Sequence, residues 1–284
     1  MATVIVRVAA ANWKLRPLRS DSGYFGHLHD FVSLAHDKGA QVLVLPELHV
    51  LELLSLERNL KEHQSPMYLS QYAPELEDWL QRIALLSGLT IVAGSHFIEV
   101  PEGFLNVSAI VAPGRGIVRA EKNNLTQYER EIWNVRDGQG LALVPPDLGV
   151  AICYDSEFAG ATRSLSDAGA KILAVPSWTE TQRGFQRVRW SCLARAVEHQ
   201  TFVVHSSLVG GFGYEPVPTS EGSSAVVAPS VEPFPVEAIL AQSPYNEEAL
   251  IVADLDLDML DEARLRGEVR NWEDRDRGTW TVSD

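Results

Sequence analysis

At 284 residues, with 45% hydrophobic and 22% charged side chains, the chain has a globular balance and can bury a sizeable core, as one large domain or two small ones. Its 38 acidic against 24 basic side chains leave a formal net charge of -14. That sign repels phosphate backbones and anionic lipid, which weighs against nucleic-acid and membrane partners.

The N-terminus has no charged start leading to an apolar stretch and a cleavage site. It runs directly into Thr3-Val4-Ile5-Val6-Arg7-Val8, the start of a strand read over 3–11. No later apolar run approaches the roughly 20 residues that cross a bilayer. The two cysteines, Cys153 and Cys192, are too few for a disulfide framework and fit a reducing compartment. A cytoplasmic protein is expected.

Further strands are predicted over 41–46, 90–97, 105–112, 149–152, 171–176, 201–206, 224–228 and 249–255. Apolar residues at helical spacing predict helices over 27–38, 73–87, 159–169 and 186–199. Gly39, Gly88 and Gly169 stand just past three of these, where a left-handed cap residue is expected. Strands alternating with helices imply an α/β fold with helix-covered sheets. The Pro/Gly-rich stretches 210–222 and 229–244 read as surface loops between late strands, so one domain spanning 1–284 is expected.

Three apolar runs each lead to a chemically capable side chain: Val42-Leu43-Val44-Leu45-Pro46 to Glu47, Ile117-Val118-Arg119-Ala120-Glu121 to Lys122, and Gly149-Val150-Ala151-Ile152 to Cys153. The carboxyl ends of strands are where α/β folds bind ligands. A thiol of ordinary pKa about 8.5 is scarcely ionised at neutral pH, so it needs a base or a positive charge to attack. Glu47 offers the base and Lys122 the charge. Each residue also has a plainer reading: Cys153 as a small buried hydrophobe, Glu47 as a helix cap, Lys122 as part of a solvated turn.

The joint pattern shifts the weight away from these plainer readings. Pro46-Glu47, Lys122 with Leu125-Thr126-Gln127-Tyr128-Glu129-Arg130, and Ile152-Cys153-Tyr154-Asp155-Ser156-Glu157-Phe158 together resemble the nitrilase superfamily of carbon–nitrogen hydrolases. Glu47 and Lys122 lie 75 positions apart, Lys122 and Cys153 31, and order and intervals both match. Gly169-Ala170 before Val175-Pro176-Ser177, and the late helix Arg195-Ala196-Val197-Glu198-His199-Gln200, are similar to further family segments.

The resemblance implies a four-layer αββα sandwich, association as a homodimer or higher homo-oligomer through helical faces, and a small-molecule amide substrate. It implies Glu47, Lys122 and Cys153 as catalytic residues, with a second site carboxylate at Glu129 or, as runner-up, Glu131. The backbone N–H of Tyr154 is the expected partner of Lys122 in holding an oxyanion, and Trp178 is a candidate pocket wall or core aromatic. Neither a cofactor nor a metal is expected, since there is no His-Glu-Xaa-Xaa-His and no paired-cysteine motif. Nitrilases tend to follow the nucleophile with Trp-Glu, whereas Cys153 is followed by Tyr154-Asp155, which favours an amidase. N-carbamoyl hydrolases place an arginine soon after the cysteine, where this chain has Ser156 and Glu157. Four positions depart from the family pattern: Asn124 in place of a histidine, Ala159-Gly160 in place of Pro-Glu, and His199 in place of an asparagine.

Three rival readings remain at this level. A Cys–His enzyme would use His205, a serine amidase would use Gly222-Ser223-Ser224, and a non-catalytic module would use the pocket only to bind.

Overall fold

The computed structural model describes residues 3–278 and 281–282. The first half carries β1 (Ile5–Lys14), α1 (Asp21–Asp37), β2 (Val42–Val44), α2 (Ser65–Ser70), α3 (Ala73–Ser87), β3 (Thr90–Val92), β4 (His96–Val100), β5 (Gly103–Val111), β6 (Val118–Glu121) and α4 (Gln127–Glu131). The second carries β7 (Ala142–Val144), β8 (Leu148–Val150), α5 (Ala159–Asp167), β9 (Ile172–Trp178), α6 (Gln182–His199), β10 (Phe202–Val209), β11 (Ala225–Val227), β12 (Ile239–Gln242), β13 (Ala249–Asp256), α7 (Leu257–Arg266) and α8 (Asn271–Asp274).

Among the described residues thirteen strands form one hydrogen-bonded ladder, in the order β4-β5-β3-β2-β1-β10-β9-β8-β7, with β13 on β1, β6 on β5, and β11 and β12 extending from β10. The seam is β1. It pairs parallel with β2 at Val8–Ala10, antiparallel with β13 along Ile5–Asn12, and parallel with β10 only at its end, Asn12–Lys14.

Because side chains alternate across a strand, the faces of β1 can be read residue by residue. Val8 and Ala10 join Val44, Val92, Ala174 and Val204 in a core between the two halves of the ladder. Ala9, Ala11 and Trp13 turn the other way, with Leu43 and Ile91, onto Leu28 and Phe31 of α1 and Leu76 and Leu80 of α3. The opposite half is covered by α5 and α6, whose Leu165, Val188 and Cys192 are buried against it. Helix, sheet, sheet and helix therefore stack as the expected four-layer αββα sandwich. Each fully buried aliphatic side chain stabilises this arrangement by about 1.5–3 kcal/mol.

The structure revises several element boundaries. The strand expected over 90–97 breaks into β3 and β4 around Gly94, whose φ is +62°. The expected loop 229–244 contains β12, which pairs antiparallel with β11. Its side chains Ile239–Ala241 are only half-buried, so they produce no alternating pattern. The helix expected from 27 begins at Asp21, and α7 was not anticipated, although Asp256 caps it by accepting from the Met259 N–H at 2.8 Å. No helix among the described residues is long and apolar enough to cross a membrane.

Candidate active site

Glu47, Lys122 and Cys153 follow the ends of β2, β6 and β8, and Trp178 ends β9. These four ends converge. Lys122 Nζ lies 2.8 Å from Glu47 Oε1 and 2.8 and 2.7 Å from the two oxygens of Glu129. The Glu47 carboxylate and the Cys153 thiol line the same cavity wall, and the Glu47 charge acts on the thiol. Its other oxygen, Oε2, accepts from the Trp178 backbone N–H at 3.0 Å, and Cys153 Sγ is 3.5 Å from the Trp178 carbonyl oxygen. The three ionisable side chains are buried, and all four residues line a cavity of about 580 Å³.

Local backbone geometry accounts for this placement. Cys153 has φ +46° at the turn from β8 into the short 3-10 helix Cys153–Glu157. A side chain in that left-handed region costs on the order of 1–3 kcal/mol. Glu47 precedes another left-handed residue, Leu48 at φ +49°, whose N–H donates to Ser95 Oγ at 3.1 Å. His49 then fastens the loop: Nδ1 meets the Tyr24 hydroxyl at 3.0 Å and Nε2 the Ala93 carbonyl at 2.9 Å. Burial pushes the His49 imidazole down to about 3, so near neutral pH it is uncharged and serves both contacts.

The carboxylates are separated electrostatically. Burial raises the Glu47 pKa above the ordinary carboxylate value and Glu129 adds to the rise, against the pull of Lys122. For Glu129, burial also acts upward, but Lys122 outweighs it together with donors from Thr126 and Asn106, and the net shift is down. Lys122 is raised, because Glu129 and Glu47 overcome the burial penalty on its ammonium. Burial first, then the Glu47 charge, hold the Cys153 thiol well above its usual value. The resting site is therefore a neutral thiol beside a carboxylate of raised proton affinity, with a charged lysine held by two acids.

Of the two acids considered for the second carboxylate position, the fold brings Glu129 to Lys122. Glu129 sits in a capping box that opens α4: Thr126 N–H and Oγ1 both donate to its Oε2 at 2.9 Å, and its own N–H returns to Thr126 Oγ1 at 3.3 Å. Glu131 turns outward and accepts from Gln127. Tyr154 lines the cavity in the first turn after Cys153, its ring packed edge-on against Phe158. Trp178 stacks on Trp133 at 5.5 Å between ring centroids and donates from Nε1 to Ser220 Oγ at 2.8 Å.

Two residues that the sequence reading left without a role belong to this site. Asn106, buried on β5, donates from Nδ2 to Glu47 Oε1 at 3.1 Å and to Glu129 Oε1 at 3.0 Å. Its signal was there to find, an amide within a strand whose later residues are all buried. Asp155 accepts from the backbone N–H groups of Asn123 and Asn124 at 3.2 and 2.7 Å and from Asn124 Nδ2 at 2.9 Å. It thereby ties the lysine loop to the cysteine turn, and the departure at Asn124 is one end of that tie.

The rival nucleophile systems lie elsewhere. His205 is buried against Phe185 and does not line the cavity. Ser224 is spent on Asn12 and the Ala11 carbonyl. Among the described residues no group of three or more His, Cys, Asp or Glu side chains is placed to hold a metal ion.

Comparison with known proteins agrees with this architecture. The chain is 28% identical over 281 residues to the probable hydrolase YhcX of Bacillus subtilis, spanning 98% of this chain but only 55% of that protein. It is 26% identical over 272 residues to omega-amidase NIT2-B of Xenopus laevis, covering 91% of each. An amidase from Nesterenkonia superposes with a TM-score of 0.72 at 22% identity, over 92% of this chain and 94% of that one. Nit3 of Saccharomyces cerevisiae, a nitrilase-superfamily member, gives 0.74 at 20%, over 92% and 93%. The model of the family described as carbon-nitrogen hydrolase matches residues 6–265, and the chain belongs to that family.

Proposed function

We propose that this chain, as a single hydrolase domain over 1–284, cleaves the non-peptide C–N bond of a small amide to a carboxylic acid and ammonia or an amine, through a thioester on Cys153. The observation that carries the reading is the meeting of one thiol, one carboxylate of raised pKa and one ammonium in the wall of a single cavity. The amidases among its relatives support it.

Glu47 takes the thiol proton as Sγ attacks the amide carbon, which matches the raised proton affinity of that carboxylate. The carbonyl oxygen gains charge and is held by Lys122 Nζ and the Tyr154 backbone N–H. Glu47 returns the proton to the nitrogen, the C–N bond breaks, and ammonia or the amine leaves a thioester behind. Water, deprotonated by the same carboxylate, attacks the thioester. The acid departs and the thiol regains its proton. Glu129 and Asn106 act as positioning residues by holding Lys122 and Glu47 at fixed separation, and Trp178 forms part of the wall. The reading extends to work in the cytoplasm as a homodimer or larger homo-oligomer, with the exposed Trp190 and Val197 of α6 on a face that association would cover.

Incubation with a panel of small aliphatic, aromatic and amino-acid amides, followed by acid quench and peptide mass spectrometry, tests this directly. The acyl group of a turned-over amide is expected on Cys153, with no adduct and no turnover in Cys153→Ala. Turnover retained by Cys153→Ala would end the reading.

A further inference from the structure

The substrate class can be narrowed from the charges in the cavity wall. Four carboxylates, Glu47, Glu129, Glu157 and Glu180, face two cations, Lys122 and Arg187. Glu47 and Glu129 share Lys122, and Glu157 pairs with Arg187 at 3.7 Å. Glu180 is left over. Among the described residues its exposed carboxylate, at the cavity wall, accepts no hydrogen bond and meets no cation, and the neighbouring charges that bear on it are two more carboxylates, Glu215 and Glu62. Glu62 in turn accepts from the Tyr128 hydroxyl at 2.8 Å, which places a tyrosine ring of the cavity wall in the same negative region. Glu180 lies two residues beyond Trp178, whose backbone contacts both Glu47 and Cys153.

A carboxylate among like charges and without a counter-charge is stabilised when a cation joins it. Walls that combine aromatic faces with a carboxylate suit an organic ammonium. We propose that the cavity takes an amide whose far end carries a protonated amine, with Glu180 as the residue that receives the ammonium while the amide carbon faces Cys153. The proposal rests on the amidase reading, since it needs Cys153 to mark the reacting end. Arg187, the one cation among the described wall residues outside the cluster around Lys122, pairs with Glu157 at 3.7 Å, so the wall offers an anionic substrate less counter-charge than it offers a cationic one.

The test uses three amides of matched length in the full chain: pentanamide, 5-aminopentanamide and 4-carbamoylbutanoate. The amino amide is expected to have the highest kcat/KM and the carboxylate the lowest, with roughly tenfold between amino and neutral amides, shrinking as salt is raised. In Glu180→Gln the amino-to-neutral ratio is expected to fall by about tenfold, chiefly through KM, and in Glu180→Lys to invert. Binding of the three amides to Cys153→Ala, followed by calorimetry, measures the same order without turnover. Turnover with no charge preference, or a ratio unmoved in Glu180→Gln, would overturn the proposal and leave the amidase reading standing. Preferential binding of the amino amide without turnover would support the cation subsite and sink the amidase reading instead.

Discussion

Asn106 does not line the cavity, yet it holds two of the carboxylates that do. Its Nδ2 donates to two carboxylates that also share Lys122, and a donor so placed favours their charged forms. Asn106→Leu is therefore expected to raise the pKa of Glu47 further. On the proposed mechanism Glu47 must be ionised to act as a base, so the acid limb of the kcat/KM profile should move to higher pH. A fall in kcat on the order of tenfold to a hundredfold should accompany it. Steady-state kinetics across pH 4 to pH 8 would decide. A uniform loss with an unmoved limb would mean that Asn106 only fills space.

At the scale of elements, the break between β3 and β4 matters more than its length suggests. Gly94 has φ +62°, and a Cβ added there would stand 1.9 Å from the Pro46 carbonyl oxygen and 2.8 Å from His49 Cδ2. The bend that ends β3 is thus packed onto the loop presenting Glu47, and only glycine leaves room for that approach. Gly94→Ala is expected to lower unfolding stability by about 3 kcal/mol or more in a urea titration, and to depress kcat by moving Glu47. Wild-type stability in that variant would refute the packing argument.

For the whole molecule, the two halves of the ladder meet at β1, and the late strand β13 runs along β1 from Ile5 to Asn12. The helix that follows closes a second contact: Arg264 Nε donates to the Gln200 carbonyl at 2.8 Å and its guanidinium reaches the His199 carbonyl at 3.3 Å, at the end of α6. Such contacts satisfy carbonyls that a helix terminus leaves open. A chain ending at residue 248 is expected to lose cooperative thermal unfolding and protease resistance together, because β1 is stripped along most of its length. A sharp transition in circular dichroism from the truncated chain would show that the sandwich closes without β13.

The sequence by itself determined the α/β class, the runs ending at Glu47, Lys122 and Cys153, and the motif spacing that marks the family. These are legible because alternation, helical spacing and short motifs are local. It left open which of Glu129 and Glu131 turns inward, and it left Asn106 and Asp155 without roles. Those depended on tertiary structure, since Glu47 lies 59 residues from its partner Asn106, and only the folded ladder brings the two within reach. The pKa order within the site was decided at the same level, because burial and neighbouring charge are properties of the closed cavity rather than of any segment of chain.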